Sequence, residues 1–275
     1  MDPILVTGGT GTLGRQVVRR LNNAGHHVRV FTRRPRKDER GVSFANGDLL
    51  SGVGLDAAVA GAATIIHCAG SAKGDEVATE NLVQAATRAG GPHLVYISVV
   101  GAERVPVTGW TDRLMFGYFD MKRKAEQVVA NSALPWTTLR ASQFHDLVLL
   151  VLENLAKLPV VPIPSGFSFQ PIDADEVAEH LVDLSFKGPS GLVPDVAGPR
   201  VYAASDLVRG YLKAIDKHRL MMSIRLPGNA ARALRAGANL APARAVGVKT
   251  WEEFLASRLP PSAHVHSGAR HATPH

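Results

Sequence analysis

Short apolar runs alternate with longer stretches of helical periodicity from residue 4 to about residue 140. Runs of four or five apolar or β-branched residues predict strands, and the stretches between them predict helices. Such alternation is typical of βαβ units, so we expect an α/β fold of the Rossmann type, a doubly wound parallel sheet. The six predicted strands are Ile4–Thr7, Val28–Thr32, Val42–Ala45, Thr64–Cys68, Leu94–Ser98 and Trp136–Leu139.

Three helices are predicted inside this alternating segment from apolar positions at helical spacing. Thr12–Ala24 and Asp75–Ala89 are each followed directly by glycine, which commonly ends a helix. The third predicted helix is Phe116–Ala130.

The alternation weakens after Arg140, and the rest of the chain predicts a small, mostly helical C-terminal lobe. We expect a Rossmann domain over 1–142 and a substrate-binding or lid lobe over 143–259 that is integrated with it. Residues 260–275 lack apolar periodicity and predict a disordered tail. The predicted helices of the lobe are 143–157, Asp173–Ser185, Ser205–Ile215, Pro227–Ala236 and Thr250–Arg258.

Composition narrows the class of protein. A chain of 275 residues with 45% hydrophobic and 20% charged residues is an ordinary globular protein, which excludes disorder, collagen and coiled coil as the main structure. The single cysteine, Cys68, permits no intramolecular disulfide and suits a reducing compartment, so a cytoplasmic location is expected. The sequence contains no HExxH, paired CxxC or GxSxG motif, so we expect no metal site, zinc protease or typical serine hydrolase.

No membrane segment is predicted. The amino terminus, MDPILVTGG, has no basic stretch followed by a long apolar core. The longest purely apolar run elsewhere is the six residues Leu147–Leu152, far below the roughly 20 needed to span a bilayer.

The formal net charge of +7 favours anionic partners without naming one. Binding to nucleic acid is not expected, because no motif interleaves basic and aromatic residues on one surface. One local group of basic residues follows the first predicted helix, namely Arg29, Arg33, Arg34, Arg36, Lys37 and Arg40.

The first predicted strand runs directly into the glycine-rich sequence TGGTGTLG. Gly8 allows a tight turn, Gly11 lets the backbone approach a pyrophosphate, and Gly14 allows close helix packing. The motif follows a strand and precedes a helix, which is the context of a dinucleotide-binding turn. The alternative is a merely flexible turn.

The end of the second strand indicates which dinucleotide is bound. An acidic residue there would bind the ribose 2′-hydroxyl of NAD, whereas this chain has Thr32, Arg33 and Arg34. Two guanidinium groups can bind a 2′-phosphate, so NADP(H) is favoured over NAD(H). A solvated basic turn is the alternative. Asp48 is expected under the adenine, or else as an ordinary turn residue.

Tyr118 and Lys122 are four residues apart and share a face of the third predicted helix. An ammonium next to a phenol lowers the pKa of the phenol toward the working range of an acid–base catalyst. Ser98, at the end of the fifth strand, can bind a substrate carbonyl oxygen. Structural roles for the pair, and a turn-capping role for Ser98, stay open.

These motifs, together with HCAG at residue 67, YISVVGA, LPWTTLRASQFHD and FQPIDADEVAEHL, resemble the NmrA-like, NAD(P)H-binding group of atypical short-chain dehydrogenases/reductases. The resemblance implies Tyr118 and Lys122 as the active-site pair. It also implies a cofactor site at Gly8, Thr10, Gly11, Thr12, Leu13, Gly14, Arg33, Arg34, Asp48, Leu49, Cys68, Ala69, Gly70 and Lys122.

Two further groups of residues follow the sixth strand. Gln143, Phe144 and His145 are expected to shape the substrate pocket, although a histidine that opens a helix more often satisfies backbone groups. Gln170 and Asp173 are candidates for joining the two lobes.

The sequence thus predicts an NADPH-dependent reductase that transfers hydride to a small carbonyl or quinone, with Tyr118, Lys122 and Ser98 as catalytic residues. Ser98 lies 20 residues before Tyr118, a shorter spacing than is usual in catalytic members of the group. Two alternatives therefore stay open: a non-catalytic NADP(H)-binding redox sensor, and a sugar-nucleotide epimerase or dehydratase. We expect the protein to be a monomer or a homodimer.

Overall fold

The computed structural model of the protein describes residues 3–70 and 74–259, so the tail predicted at 260–275 lies outside the described residues. The first six strands agree with the predicted positions within two residues, and the last five, two of which have five residues, were not predicted. The strands are β1 Ile4–Thr7, β2 Val28–Thr32, β3 Val42–Asn46, β4 Thr64–His67, β5 His93–Val99, β6 Trp136–Ala141, β7 Val160–Pro164, β8 Ser168–Phe169, β9 Gly191–Leu192, β10 Tyr202–Ala203 and β11 Leu220–Ile224.

Seven of these strands form one parallel sheet in the order β3-β2-β1-β4-β5-β6-β9. The predicted Rossmann-type doubly wound sheet is confirmed, but the expected number of six strands is wrong. β9 has only two residues, paired with Thr137 and Thr138 of β6, so it is too short to show a periodic pattern in sequence. The central strands read as apolar runs because helices cover both faces of the sheet.

The predicted helices are present, and most agree with the predicted bounds within two residues. The exception is the third predicted helix, which begins at Trp110 rather than Phe116 because the carboxylate of Asp112 accepts a hydrogen bond from the Gly109 N–H and caps the start. The helices are α1 Thr12–Asn23, α2 Leu55–Val59, α3 Asp75–Arg88, α4 Trp110–Ala130, α5 His145–Leu155, α6 Ala174–Phe186, α7 Ala204–Ala214, α8 Asn229–Arg235 and α9 Trp251–Arg258.

Two apolar layers sandwich the sheet. On one face, α1 and α6 pack through Val17 and Leu181 against Val30 and Ile97. On the other face, α2, α3 and α4 pack against Tyr96 and its neighbours. Helix α6 therefore belongs to the Rossmann unit although it lies in the second half of the chain.

A second core lies beyond the sheet and joins α5, α7, α8 and α9 to β7. Two small sheets accompany it: β8 pairs with β10, and β11 pairs with β7. None of the helices within residues 3–70 and 74–259 has the length and apolar character needed to cross a bilayer.

Gln170 connects these parts of the molecule. Its side chain is buried, donates a hydrogen bond to the Gly198 carbonyl at 2.8 Å, and accepts one from the Ala241 N–H at 3.0 Å. The Ser142 hydroxyl donates to the Gln170 carbonyl oxygen at 2.6 Å. Asp173 caps α6 and forms an ion pair with Lys249 at 2.9 Å. Gln170 and Asp173 thus hold the C-terminal segment against the end of β6.

Replacing Gln170 with leucine leaves a buried carbonyl and a buried N–H without partners. We expect Q170L to lower the free energy of unfolding by about 2–4 kcal/mol, measured by urea denaturation. The matched control is Gln127→Leu, on the exposed side of α4, which should change it by less than about 0.5 kcal/mol. Equal stability of the two variants would contradict the connecting role.

Candidate functional site

The turn between β1 and α1 is packed so closely that only glycine fits at two positions. Gly8 has φ +68°, and a Cβ there would lie 2.6 Å from the Ala69 backbone nitrogen. A Cβ on Gly14 would lie 2.1 Å from the Gly8 carbonyl oxygen. The turn therefore presses against the loop after β4, which brings the carboxyl ends of β1 and β4 together.

The start of α1 faces this turn with free amide donors. Gly11 is the N-cap residue and provides no side-chain hydrogen bond, and the first turn contains no acidic residue. A helix start of this kind carries a partial positive charge and suits an anion such as a pyrophosphate. Leu13 and Gly14, within the first turn, are buried, so of their groups only backbone atoms could reach a ligand.

A groove of about 480 Å³ lies along the carboxyl ends of β1, β2 and β4. Four predicted contacts, Thr12, Leu13, Gly14 and Lys122, do not line it. Lining residues that were not among the predicted cofactor contacts include Phe31, Arg36 and Asp75. Most of the predicted contacts do line it: Gly8, Thr10, Gly11, Arg33, Arg34, Asp48, Leu49, Cys68, Ala69 and Gly70.

Exposed cations border one end of the groove. The Thr32 hydroxyl accepts a hydrogen bond from the Arg34 N–H at 3.3 Å and fixes the turn after β2. In the described part of the chain, Arg33, Arg34 and Arg36 form no ion pair with a carboxylate. Arg29, by contrast, donates to the Ala58 and Ala60 carbonyls at the end of α2 and does not join this group.

Asp48 lines the groove and also has a local structural role. Its carboxylate accepts a hydrogen bond from the Leu50 N–H at 3.2 Å, and its own N–H donates to the Val53 carbonyl at 2.9 Å. This is the turn role that the sequence left open beside the adenine role, and the two are compatible because the same turn forms the wall of the groove.

Lys122 forms the centre of a buried cluster at the other end of the groove. The side chain is 3% exposed, and Nζ lies 3.0 Å from Asp75 Oδ2 and 3.3 Å from the Tyr96 hydroxyl. A Cβ added to Gly70 would lie 3.4 Å from Nζ, so the groove meets the cluster at Gly70. Burial alone would lower the pKa of Lys122, but Tyr96, Tyr118 and Asp75 outweigh it and raise that pKa. Lys122 is therefore an ammonium.

Tyr118 stands beside this cluster and is 42% exposed. Its ring centroid lies 6.0 Å from Lys122 Nζ, without a hydrogen bond between the two side chains. Lys122 acts to lower the pKa of Tyr118, as expected, but this effect does not prevail and that pKa is raised. Desolvation raises that pKa, Lys122 opposes the rise, and Asp75 adds to it by repelling a phenolate.

Ser98 is 1% exposed, and its hydroxyl has no hydrogen-bond partner among the described residues. Side chains alternate along a strand, so Ser98 shares with Tyr96 the face of β5 that meets α4. Burial raises the pKa of Tyr96 to about 12, which keeps this hydroxyl neutral beside Lys122. The structure thus brings Ser98 to the same face of the sheet as the Lys122 cluster.

His67 supports the end of β4 under the groove. Its ring nitrogens lie 2.6 Å from the Thr7 hydroxyl and 3.3 Å from the Thr79 hydroxyl, and the ring stacks on Tyr96. Burial lowers the pKa of His67 to about 4, so the ring is neutral at pH 7. Cys68, the next residue, has a thiol whose pKa is raised to about 12 by burial.

The three predicted pocket residues separate in the structure. Gln143 donates a hydrogen bond to the Asn239 carbonyl, and Phe144 packs against the core of the sheet. His145 is fully buried against Trp251 and Phe254, with ring centroids 5.9 and 4.9 Å away. His145 therefore does not reach a substrate cavity in the described residues, because its side chain points into the second core rather than toward the groove.

Asp75 and Tyr96 are the members of the cluster that sequence reasoning missed. Asp75 opens α3 and looks like an ordinary acidic residue in a first helical turn. Tyr96 sits in an apolar strand and looks like a core residue. Only the folded chain brings both to Lys122, so no local pattern in the sequence could have identified them.

Comparisons with known proteins give a family and a fold. A family model described as NAD(P)H-binding matches residues 8–184. The chain is 30% identical to (4-alkanoyl-5-oxo-2,5-dihydrofuran-3-yl)methyl phosphate reductase of Streptomyces griseus over 208 residues, 74% of this chain and 70% of that protein. It is 28% identical over 153 residues to the photosystem II assembly factor Ycf39 of Synechocystis, 51% of this chain and 44% of that protein.

Two solved structures share the fold at low identity. The NADPH complex of quinone oxidoreductase QOR2 from Escherichia coli matches with a TM-score of 0.77 and 19% identity, covering 92% of this chain and 99% of that one. A nucleoside-diphosphate-sugar epimerase from Staphylococcus aureus matches with a TM-score of 0.71 and 17% identity, covering 92% and 99%.

The buried His145 predicts a pH dependence of stability. Burial lowers its pKa from 6.5 to about 4, so between these values the unfolded chain binds a proton that the folded chain does not. We expect His145 to reduce the free energy of unfolding by about 1.4 kcal/mol per pH unit as the pH falls from 6.5 to 4, or about 3 kcal/mol in all.

The measurement is urea denaturation at several pH values for the wild type and His145→Phe, which keeps an aromatic ring in the stack. The variant should lose stability less steeply with acid, and His180→Phe, at a partly exposed position on α6, should follow the wild type. Parallel curves for wild type and His145→Phe would show that the ring is not kept neutral by the fold.

Proposed function

The chain belongs to the NAD(P)H-binding family, and from that premise we propose that it is an NADPH-dependent reductase of a small carbonyl or quinone substrate. The observation that carries the proposal is the continuity of the groove with the buried Lys122 cluster through Gly70. A dinucleotide held by Arg33 at one end of the groove would be held at the other by the loop at Gly70, next to Lys122.

The groove fits an anionic dinucleotide on three counts. The turn at Gly8 and Gly14 has no space for a Cβ, and the start of α1 lacks a side-chain cap. The arginines at the groove's end form no ion pair with a carboxylate of residues 3–70 or 74–259. Arg33 and Arg34 stand where an acid would otherwise select the 2′-hydroxyl of NAD, so the preference is for NADP(H). We assign cofactor binding to 1–142 and substrate selection to 143–259.

The reduced nicotinamide of NADPH supplies a hydride when bound. Tyr118, kept protonated by its raised pKa, donates a proton to the substrate oxygen. Lys122 lowers the cost of the resulting phenolate and binds the nicotinamide ribose. Ser98 donates the hydrogen bond that its unpartnered hydroxyl can make to the same substrate oxygen.

The names of two similar proteins support the proposal of a reductase. The Streptomyces griseus relative is named as the reductase of a (dihydrofuranyl)methyl phosphate, and the Escherichia coli structure is that of a quinone oxidoreductase bound to NADPH. The reducing, cytoplasmic setting expected from a single cysteine, Cys68, agrees with a pool of reduced cofactor.

A second candidate function is a non-catalytic NADP(H)-binding sensor. Its support is that Tyr118 makes no hydrogen bond to Lys122 and has a raised pKa, so the acid–base pair is not assembled without a ligand. A sugar-nucleotide epimerase has only the shared fold in its favour.

Replacing both groove arginines tests the cofactor preference. We expect Arg33→Ser with Arg34→Ser to weaken NADPH binding about 10- to 100-fold, because charge-assisted hydrogen bonds to the 2′-phosphate are lost, while NADH binding stays unchanged. Fluorescence titration with each nucleotide measures this. Arg40→Ser, from the same basic segment but outside the groove, is the control. An equal loss for both nucleotides would contradict recognition of the 2′-phosphate.

Tyr118→Phe tests the proposed reaction. We expect turnover of NADPH with a panel of quinones, aldehydes and ketones to fall about 100- to 10,000-fold, with NADPH binding kept, because the proton donor is removed. Tyr211→Phe, in the second core, should retain turnover. Turnover unaffected by Tyr118→Phe would remove Tyr118 from the mechanism, and tight NADPH binding without turnover in the wild type would favour the sensor. NAD retained through purification would favour the epimerase.

A further inference from the structure

The strand β11 is an exposed apolar edge. Its sequence is LMMSI, and Leu220, Met221 and Met222 are 74%, 39% and 53% exposed. Within residues 3–70 and 74–259, only β7 pairs with it, in parallel register from Leu220 opposite Val160 to Ile224 opposite Pro164. One edge of β11 therefore lacks a neighbouring strand in the described chain.

The hydrogen-bond pattern shows which backbone groups face that edge. The Ser165 N–H donates to the Ile224 carbonyl at 2.8 Å, so Ile224 faces the β7 side. Successive residues of a strand direct their backbone groups to alternate sides. Met221 and Ser223 therefore present their N–H and C=O groups to the open edge, where a further strand could pair with them.

The opposite edge of this small sheet is blocked. Counting back from Ser165, every second residue of this segment directs its N–H group to β11. Pro162 and Pro164 lie at the alternate positions, where an N–H would face away from β11. Proline lacks that donor, and natural sheets use proline to protect edges from pairing. β11 contains no proline, so of the two edges only this one can accept a strand.

Cations flank the open edge. Arg219 and Arg225 directly precede and follow β11, and Lys157 and Lys217 lie in the adjoining segments. None of these four forms an ion pair with a carboxylate in the part of the chain that is described. The edge therefore combines an apolar centre with positive charge at both ends.

A hollow of about 320 Å³ adjoins the edge and can receive side chains of an added strand. Met221 and Ser223 line one wall, and Gly166, Phe167 and Ala204 are among the residues opposite. Strand addition draws affinity from main-chain hydrogen bonds and specificity from pockets for alternate side chains. β11 offers both.

We propose that β11 docks an extended segment of a partner protein, apolar at alternate positions and flanked by acidic residues, as an added strand. This inference does not depend on the proposed reductase activity. A second copy fits less well, because an antiparallel pair of β11 strands centred on Met222 sets Arg219 opposite Arg225. The hydrocarbon of a lipid surface offers no hydrogen-bonding groups to the open edge. The segment 260–275 of this chain has no acidic residue to match the cations.

The test is fluorescence anisotropy with the labelled peptide Glu-Glu-Val-Ser-Val-Ser-Val-Glu-Glu and a version in which lysine replaces every glutamate. The full chain should bind the acidic peptide saturably and at least about tenfold more tightly than the lysine version. Ser223→Pro, which removes an N–H at the open edge, should weaken binding at least about tenfold, whereas Ser223→Ala should not change it. Arg225→Glu should also weaken binding, while Lys187→Glu, an equal charge change at the end of α6, should leave it intact.

Thermal melting followed by circular dichroism checks that each variant is folded. Absence of saturable binding by the wild type would overturn the proposal, as would equal binding to Ser223→Pro and Ser223→Ala. Two further measurements address other occupants. Co-sedimentation with phosphatidylglycerol vesicles that displaces the peptide would point to a membrane. A dimer in sedimentation velocity that Ser223→Pro dissociates would assign the edge to a second copy.

Discussion

The buried ammonium of Lys122 is the constraint on which the rest of the site depends. A charge removed from water costs several kcal/mol unless it is paired and hydrogen-bonded, and here Asp75 and the Tyr96 hydroxyl supply the partners. These three residues come from α4, α3 and β5. Satisfying one charge therefore fixes the relative positions of two helices and the strand between them, and with them the place of Tyr118 beside the sheet.

The glycine turn connects this cluster to the groove by close packing. Gly8 touches the backbone at Ala69, and Gly70 lies against Lys122 Nζ, so the loop after β4 is held between the turn and the ammonium. His67 secures the base of the same loop through Thr7 and Thr79. The glycine turn and the Lys122 cluster thus contact opposite sides of the loop after β4. A displacement of one would therefore shift the other.

Sequence patterns predicted the sheet and the groove well because both are local. An apolar run indicates a buried strand, and the glycine spacing indicates a turn between a strand and a helix. β9 and α2 were missed because two and five residues are too few to show a period. Asp75 and Tyr96 were missed because their proximity to Lys122 arises only from folding. His145 was misplaced because spacing in sequence does not say on which side of a helix start a side chain points.

The hydroxyl of Ser98 bears on the proposed reaction because it is buried without a hydrogen-bond partner among the described residues. A buried polar group without a hydrogen bond costs about 1–3 kcal/mol, and an alanine at the same strand position would avoid that cost. Lys122 Nζ and the Tyr96 hydroxyl have partners, but the buried hydroxyl of Thr138, opposite Tyr96 on β6, also lacks one among the described residues. In the proposed reaction, a substrate oxygen accepts a hydrogen bond from the Ser98 hydroxyl. In the same reaction, that oxygen also accepts the proton of the partly exposed Tyr118.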